Sequence, residues 1–250
     1  MSGNKPLAAL GLMSGTSLDG VDVALLDTDG ERVASFGPAR AFPYPEDFRA
    51  RLRAVLGRES GTGVDDVGRE MTLLHARAVA DLLAANGLAA SAIDIIGFSG
   101  HTVVHRPQAA KTVQIGDGAL LAAAAAIPVI ADFRSRDVAE GGQGAPLAPL
   151  FHAALAGGLE KPLAVLNLGG VANVTWIGEG GRILAFDTGP GNALLDDWMV
   201  KTAGRAYDAD GSWAASGEVD RGVVAAWLAD DYFQRAPPKS LDRDDFCAEG

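Results

Sequence analysis

The sequence has a single cysteine, Cys247, among 250 residues. One thiol can form neither a disulfide framework nor a cysteine-based zinc site within the chain. Basic residues are also few: 21 Lys and Arg stand against 32 Asp and Glu, which gives a net charge of −11. Nucleic-acid and anionic-membrane surfaces need clustered Lys and Arg, so the sequence predicts neither kind of partner. A local arginine or a backbone nest can still bind an anionic substrate.

Secretory and membrane-spanning features are missing as well. The first residues, Met1–Lys5, do not lead into an apolar signal region. The alanine-rich run Ala119–Pro128 is too short to span a bilayer and ends at a proline. With 48% apolar residues the chain can bury a sizeable core. We therefore expect a cytoplasmic protein that forms one large domain or two medium ones.

Two segments of the same kind lie about half a chain apart, at Ala8–Asp27 and Leu163–Ile177. Each has an apolar strand, a tight turn of small residues and a second apolar strand, which predicts a β-hairpin. Further strand and helix patterns follow each hairpin, so the chain predicts a duplicated α/β lobe. Two such turns, one from each lobe, can hold a phosphate chain between them.

Helical and strand patterns fill the rest of the chain. Residues 45–57 and 64–86 have helical spacing, and the second helix is predicted to end at Asn86-Gly87. We expect Leu73, Leu74, Ala78, Leu82 and Leu83 to share its apolar face. Further strands are predicted at 32–42, 93–99, 112–116, 128–132 and 183–187, and further helices at 149–155 and 192–202. Trp213 and Trp227 fall on segments that predict a helical cap.

The first turn has the residue types of a phosphate-binding loop. Gly15 lets the backbone approach a phosphate, and Thr16 and Ser17 can present N–H and hydroxyl donors to it. Asp19 and Asp22 cannot contact phosphate without repulsion. They can orient a water bound to Mg²⁺, or they can cap the turn, and the sequence leaves both roles open.

The second turn and the strand after it carry the other candidate residues. Gly169 and Gly170 allow the same close approach of backbone, while Asn167 and Asn173 are polar residues on apolar strands that we expect to line a cleft. Asp187 ends an apolar strand before a predicted helix. Its carboxylate can accept a proton from water or a hydroxyl, or it can cap the helix, and the spacing favours neither role.

Between the two hairpins lie candidate substrate contacts. His101 is spaced four residues from His105, but no third ligand is near in sequence, so we expect a hydrogen bond to substrate instead of a metal site. Arg134 and Arg136 follow the end of a strand, where one of them can bind a carboxylate or phosphate bidentately. The alternative for these arginines is an ion pair with Asp132 or Asp137.

Taken in order, these motifs closely resemble the anhydro-N-acetylmuramic acid kinases of bacterial peptidoglycan recycling, over nearly the whole chain. The resemblance rests on Gly11–Gly20, Gly100–Pro107, Gln114–Asp117, Asp132–Asp137, Gly141–Leu147, Leu166–Asn173, Phe186–Asn192, Tyr207–Asp210 and Pro238–Ser240. The family implies an α/β fold of duplicated actin/hexokinase-like (ribonuclease H-like) lobes with a central ATP cleft. Residues 1–160 would form the first lobe with substrate-binding elements, and residues 161–250 the start of a second, incomplete lobe.

The resemblance implies an ATP-dependent sugar kinase, a transferase of amino-sugar metabolism. It would open the 1,6-anhydro ring of its substrate with water and phosphorylate O6, with Mg²⁺ as cofactor and metal ligands unassigned. The family's general base falls on Asp187, and its ATP-phosphate turn on Gly15–Asp22. The full ATP-binding set is Gly15, Thr16, Ser17, Leu18, Asp19, Gly20, Val21, Asp22, Asn167, Gly169 and Gly170. The substrate-binding set is His101, Thr102, Arg134, Arg136, Gln143 and Asn173. A homodimer is a further expectation.

The chain departs from the family pattern in two places and, together with the family, from the wider superfamily in a third. Where the family reads His-Gly-Gln-Thr, this sequence reads Ser99-Gly-His-Thr102. Met13 and Asn167 stand where the wider superfamily has aspartates. The family's chains also carry a later glycine-rich adenosine-binding segment without a counterpart here. The alternatives are therefore an inactive binding or dimerisation remnant of this fold, or a sugar kinase with another substrate.

Overall fold

The computed structural model describes residues 5–15, 18–241 and 245–246. It divides into two compact units, Met1–Leu147 and Ala148–Gly250. Both units combine helices with sheets, so the predicted α/β class is confirmed. The division into lobes at residues 160 and 161 stays a prediction. No helix within the described ranges is long and apolar enough to cross a membrane.

The first unit is built on a five-stranded mixed sheet of order β3-β2-β1-β4-β7. Its strands are β1 (Leu7–Met13), β2 (Gly20–Thr28), β3 (Val33–Pro43), β4 (Ile95–Phe98) and β7 (Val129–Ala131), and a separate ribbon pairs β5 (His101–Arg106) with β6 (Lys111–Ile115). The first three strands are antiparallel neighbours, whereas β4 and β7 run parallel to β1. The first predicted hairpin and the third strand are therefore confirmed.

Helices pack against this sheet and against the separate ribbon. They are α1 (Glu46–Ala54), α2 (Thr62–Ala85), α3 (Gly118–Ala125) and α4 (Ser135–Ala139). Met71, Ala78 and Leu82 of α2 are buried in the same core as Leu10 and Leu12 of β1. The helix ends at Ala85 with Asn86 as its C-cap, and Gly87 follows with φ +63°, as the sequence predicts.

The prediction that Leu73 shares the buried face of α2 is wrong, because this side chain is 43% exposed. A residue in a helix is rotated by about 100° from its neighbour. Leu73 therefore points away from Met71 and Ala78, while Leu82 and Leu83 lie on or beside the buried stripe.

The second unit repeats the hairpin. Its described strands β8 (Leu163–Leu168), β9 (Val171–Ile177) and β10 (Ile183–Pro190) form an antiparallel sheet of order β10-β9-β8. Its helices are α5 (Ala148–Leu155), α6 (Asn192–Ala203), α7 (Ser212–Ser216), α8 (Arg221–Leu228) and α9 (Asp231–Gln234). The predicted second hairpin and the helical segments at Trp213 and Trp227 are confirmed. The last strand continues to Pro190, beyond the predicted end at Asp187, and has an irregular register between Asp187 and Gly189.

Candidate active site

The first turn is fixed by contacts made at both of its ends. The N–H of Leu18 donates to the carbonyl of Gly15 at 3.1 Å, and Nε of Arg49 donates to the carbonyl of Leu18 at 3.0 Å. A Cβ added to Gly20 would lie 2.2 Å from the carbonyl oxygen of Phe42, so this position needs glycine. The predicted contacts Thr16 and Ser17 lie outside the described residues.

Two residues of the predicted ATP turn belong to the hydrophobic core. The side chains of Leu18 and Val21 are buried, at 3% and 1% exposure. A ligand at this turn would therefore meet their backbone and not their side chains. They anchor the turn in the hydrophobic core of the first unit.

Two carboxylates in this region repel each other. The pKa of Asp22 is raised, first by partial burial and second by the negative charge of Asp19. A cation near the pair would relieve this repulsion. Among the residues whose placement is described, no group of three or more His, Cys, Asp or Glu could hold a metal ion.

A buried hydrogen-bond chain connects this turn to β5. The hydroxyl of Tyr44 donates to Oγ of Ser14 at 2.8 Å, and Oγ of Ser14 lies 3.0 Å from Nδ1 of His101. His101 is 1% exposed, and burial lowers its pKa, so the ring is neutral near pH 7. The sequence analysis overlooked Ser14 and Tyr44, because no spacing pattern links residues so far apart. The structure therefore assigns His101 an interior role, and its predicted contact with substrate stays a prediction.

A cavity of about 460 Å³ opens beside β6 in the first unit. Polar residues of its lining include Ser99, Gln114, Asp117, Asp132 and Ser135. Nε2 of Gln114 donates to Oγ1 of Thr102 at 3.1 Å, which brings that predicted substrate residue to the same place. Oε1 of Gln114 is buried and finds no donor within the described part of the chain. This cavity therefore offers a polar surface with an unused acceptor beside it.

The glycine loop that contains Gln143 folds onto the segment that contains Arg134. Nη1 of Arg134 donates to the carbonyl of Gly144 at 2.7 Å, and the N–H of Gly144 donates to Oδ2 of Asp137 at 2.7 Å. Burial lowers the pKa of the Arg134 guanidinium. Within the described residues neither Arg134 nor Arg136 forms an ion pair, so the ion-pair alternative is wrong. Three predicted substrate residues are thus held in one loop-and-helix segment.

The second turn in the second unit binds the start of α6. The carbonyl of Gly169 accepts from the N–H of Asn192 at 2.7 Å, and that of Gly170 accepts from the N–H of Gly191 at 3.0 Å. A Cβ on Gly191 would lie 2.2 Å from the Gly169 oxygen, so the close approach requires glycine there. The turn carbonyls therefore satisfy the first helical N–H groups, which a helix otherwise leaves without partners.

Three predicted site residues form one row across the second sheet. Asn167 of β8 lies opposite Asn173 of β9, and Asn173 lies opposite Asp187 of β10. Directly opposed residues in antiparallel strands point to the same face, with Cβ atoms about 5 Å apart. The predicted ATP contact, the predicted substrate contact and the predicted base therefore lie side by side.

A later segment of the chain fixes Asp187 in place. Oδ2 of Asp187 accepts from the N–H of Leu241 at 2.9 Å, and its N–H donates to the carbonyl of Lys239 at 3.0 Å. Its carbonyl accepts from the hydroxyl of Tyr232 at 2.6 Å. Gly191 is the N-cap of α6, so the helix-cap alternative for Asp187 is wrong. Sequence reasoning did not identify Tyr232, which has no motif around it.

Comparison with known proteins agrees with these motifs. The family model described as anhydro-N-acetylmuramic acid kinase matches residues 8–249. Proteins of that name are 60% identical in Paramagnetospirillum magneticum, 54% in Rhodospirillum rubrum and 51% in Methylobacterium nodulans. These matches cover 97%, 96% and 96% of this chain and 68%, 64% and 70% of the relatives. The chain therefore spans about two thirds of their length.

Among solved structures, an exopolyphosphatase-like protein is 13% identical, with a TM-score of 0.39 over 96% of this chain and 67% of its own. We draw no conclusion from a likeness this low. The family match and the relatives decide the question: the chain belongs to the anhydro-N-acetylmuramic acid kinase family, a family of phosphotransferases, as its ordered motifs predict.

Proposed function

We propose that this chain binds ATP and the anhydro sugar, opens the 1,6-anhydro ring with water, and transfers the γ-phosphate to O6. The products are N-acetylmuramic acid 6-phosphate and ADP. The row of Asn167, Asn173 and Asp187 across one sheet face carries the proposal, because it groups a base with two amide side chains. The finer fold prediction, actin/hexokinase-like lobes with an ATP cleft, is part of this proposal.

Asp187 acts as the general base. It takes a proton from water while the water oxygen forms a bond to the anomeric carbon. The bond between that carbon and the bridging oxygen breaks, and the released O6 attacks the γ-phosphorus as the bond to the ADP oxygen breaks. One base serves both bond changes, since the oxygen that leaves carbon is the nucleophile for phosphorus. The N–H of Leu241, donating to Oδ2, keeps the carboxylate in one orientation.

The two glycine turns supply the phosphate contacts. Backbone around Gly15 and around Gly169-Gly170 can approach the phosphates closely, and preorganised donors of this kind stabilise the charge on a transferring phosphoryl group. Mg²⁺ would neutralise charge on the phosphate oxygens. The mutually repelling Asp19 and Asp22 fit such a cation, since carboxylates are its usual protein ligands. Two carboxylates suffice, because Mg²⁺ usually keeps several waters and bridges substrate phosphates.

The substrate contacts are drawn from the first unit and from the polar row. Gln114 lines the cavity beside β6 and donates to Oγ1 of Thr102, so these two polar side chains are the candidates there for hydrogen bonds to a sugar hydroxyl or an acetamido group. Arg134, Arg136 and Gln143 lie in the segment that can bind the lactyl carboxylate of a muramic acid. His101 is buried on β5 and is hydrogen-bonded to Ser14, so it would help to position the first turn. The homodimer and the cytoplasmic location stay predictions.

The test is ADP release by the full chain with anhydro-N-acetylmuramic acid, with glucose as the comparison sugar. Asp187→Asn keeps an acceptor for the N–H of Leu241 but removes the base, so we expect turnover to be lost and ATP affinity to persist. Asp231→Asn, at an exposed position of α9, is the matched control and keeps full turnover. Near-normal turnover in Asp187→Asn would reject the base assignment.

Calorimetry with ATP and with the sugar separates the alternatives. The absence of detectable ATP affinity, with or without binding of the sugar, would favour an inactive remnant of the fold. Turnover of glucose in place of the anhydro sugar would favour a sugar kinase with another substrate.

A further inference from the structure

The ammonium of Lys239 lies against two aromatic rings of the second unit. It is 4.5 Å from the ring centroid of Tyr232 and 6.0 Å from that of Phe186. Both distances fall within the range of about 6 Å in which a cation is attracted to the face of an aromatic ring. Nζ also donates to the carbonyl of Tyr232 at 2.9 Å. A single side chain thus contacts both the residue before Asp187 and the tyrosine that bonds to Asp187.

The same residues hold the backbone of Asp187. Its carbonyl accepts from the hydroxyl of Tyr232 at 2.6 Å, and its N–H donates to the carbonyl of Lys239 at 3.0 Å. The contacts therefore form a closed set, in which Asp187, Tyr232 and Lys239 each bind the other two. Two residues after Lys239, the N–H of Leu241 donates to Oδ2 of the carboxylate at 2.9 Å. The backbone of residues 239–241 therefore orients this carboxylate.

The charge of Lys239 is used in these contacts and not in an ion pair. Among the residues whose placement is described, no carboxylate lies within ion-pair distance of Nζ. The side chain is half-buried, and Tyr232 is 3% exposed. Ordering a lysine side chain costs conformational entropy, so its fixed position needs compensating contacts. The hydrogen bond and the two cation–π contacts supply them, and a neutral side chain of similar length would make none of these three.

We propose that Lys239 is a positioning residue for the general base. This inference rests on the proposed function, which makes Asp187 that base. By binding Tyr232 and Phe186, the ammonium fixes residues 239–241, whose carbonyl and N–H groups orient Asp187. Lys239→Met keeps the length of the side chain but removes the charge and the donor, so it should release this segment. Lys239→Arg keeps a cation and N–H donors and should hold the segment as the parent does.

Hydrogen exchange in the full chain is the first test, because it needs no ligand. In Lys239→Met the amide of Leu241 should exchange about tenfold faster or more, since a charge-assisted hydrogen bond and two cation–π contacts are lost. The carbon-13 signal of the Asp187 carboxyl group should shift as well. Amides of β9 should exchange at the parent rate, because the sheet itself is unchanged. Lys5→Met, at an exposed lysine, is the matched control and should leave Leu241 unaffected.

Turnover gives the second readout. With ATP and the anhydro sugar, Lys239→Met should lower kcat by about 10-fold to 100-fold and leave both KM values unchanged, and Lys239→Arg should recover most of the loss. A parent chain without turnover would reject the proposed function, and hydrogen exchange would still decide the positioning.

Three results would overturn the proposal. The first is that Leu241 exchanges in Lys239→Met as it does in the parent, or that the Asp187 signal does not move. The second is that the amides of β9 exchange faster to the same degree, which would show a general loss of stability. The third is that Lys239→Arg behaves as Lys239→Met does, since the charge would then have no part in holding the segment.

Discussion

His75 lies in the middle of α2, fully buried, and its protonation provides a quantitative test of the first unit's core. Its ring lies 5.1 Å from that of Phe98 and 6.4 Å from that of Tyr44, measured between centroids. Nδ1 lies 2.8 Å from the carbonyl of Met71 and donates to it, which leaves Nε2 as a buried acceptor. Nε2 has no partner among the described residues. Protonation would therefore place a charge in an apolar site.

Burial is the main cause that lowers the pKa of His75 from 6.5 to about 4; the hydrogen bond to the Met71 carbonyl opposes part of this effect, and the neighbouring His101 adds a smaller lowering. The unfolded chain binds this proton at higher pH than the folded chain does. The contribution of neutral His75 to the unfolding free energy is therefore fully present above pH 6.5 and is lost as the pH falls toward 4. At 1.4 kcal/mol per pKa unit, the fall from pH 7 to pH 5 removes about 2 kcal/mol of unfolding free energy.

The assay is urea unfolding at pH 7 and pH 5, compared between the parent and His75→Phe. The aromatic replacement keeps most of the packing and removes the titration. The unfolding free energy of His75→Phe should therefore fall less between pH 7 and pH 5 than that of the parent, by about 2 kcal/mol. Far-UV circular dichroism is the required probe, because all four tryptophans lie at residue 176 or later and report the second unit.

His105→Asn, at an exposed position of β5, is the control and should lose as much stability as the parent. Carboxylates also titrate in this range, but they are common to all three proteins and cancel in the comparison. An equal loss in the parent and in His75→Phe would refute the reasoning.

Three further substitutions test the contacts around the site by urea unfolding. Ser14→Ala leaves the buried Tyr44 hydroxyl and Nδ1 of His101 without their hydrogen-bond partner, and should lower the unfolding free energy by about 1–3 kcal/mol. Its control Ser60→Ala, at an exposed serine, should leave the unfolding free energy unchanged. Gly191→Ala forces a Cβ onto the Gly169 carbonyl and should cost about 1–3 kcal/mol, whereas Gly157→Ala has open space around it and should be neutral. Tyr232→Phe removes the hydrogen bond to Asp187 and should cost about 1 kcal/mol, read by tryptophan fluorescence, with the exposed Tyr207→Phe as control. If a control variant loses as much unfolding free energy as its test variant, the contact assigned to that test residue is contradicted.

Local patterns in the sequence were enough to predict most of the elements. Hydrophobic alternation around glycine turns predicted both hairpins, and the helical period with Asn86-Gly87 predicted α2 and its end. The error at Leu73 came from counting leucines without following the rotation of the helix. Intrinsic patterns of this kind depend on neighbours in the chain, so they can be read without the tertiary structure.

Contacts between distant residues could not be predicted in the same way. A tight turn centred on Gly170 pairs Asn167 with Asn173, and this part of the polar row follows from the sequence. The pairing of Asp187 with Asn173 also depends on the length of the turn between β9 and β10, after Ile177. The sequence does not determine that length, so this pairing could not be predicted. The chain of Tyr44, Ser14 and His101 depends on how helices pack on the sheet, so nothing local predicts it.

The position of Asp187 within β10 decides which residues orient its carboxylate. A helix-capping carboxylate would be held by N–H groups only a few residues further along the chain. Asp187 is held instead by Tyr232, Lys239 and Leu241. Helices α6, α7 and α8 lie between Asp187 and Tyr232, and Tyr232 itself belongs to α9. The orientation of this carboxylate therefore depends on residues 45 and 54 positions further along the chain, which is why no local sequence pattern predicts it.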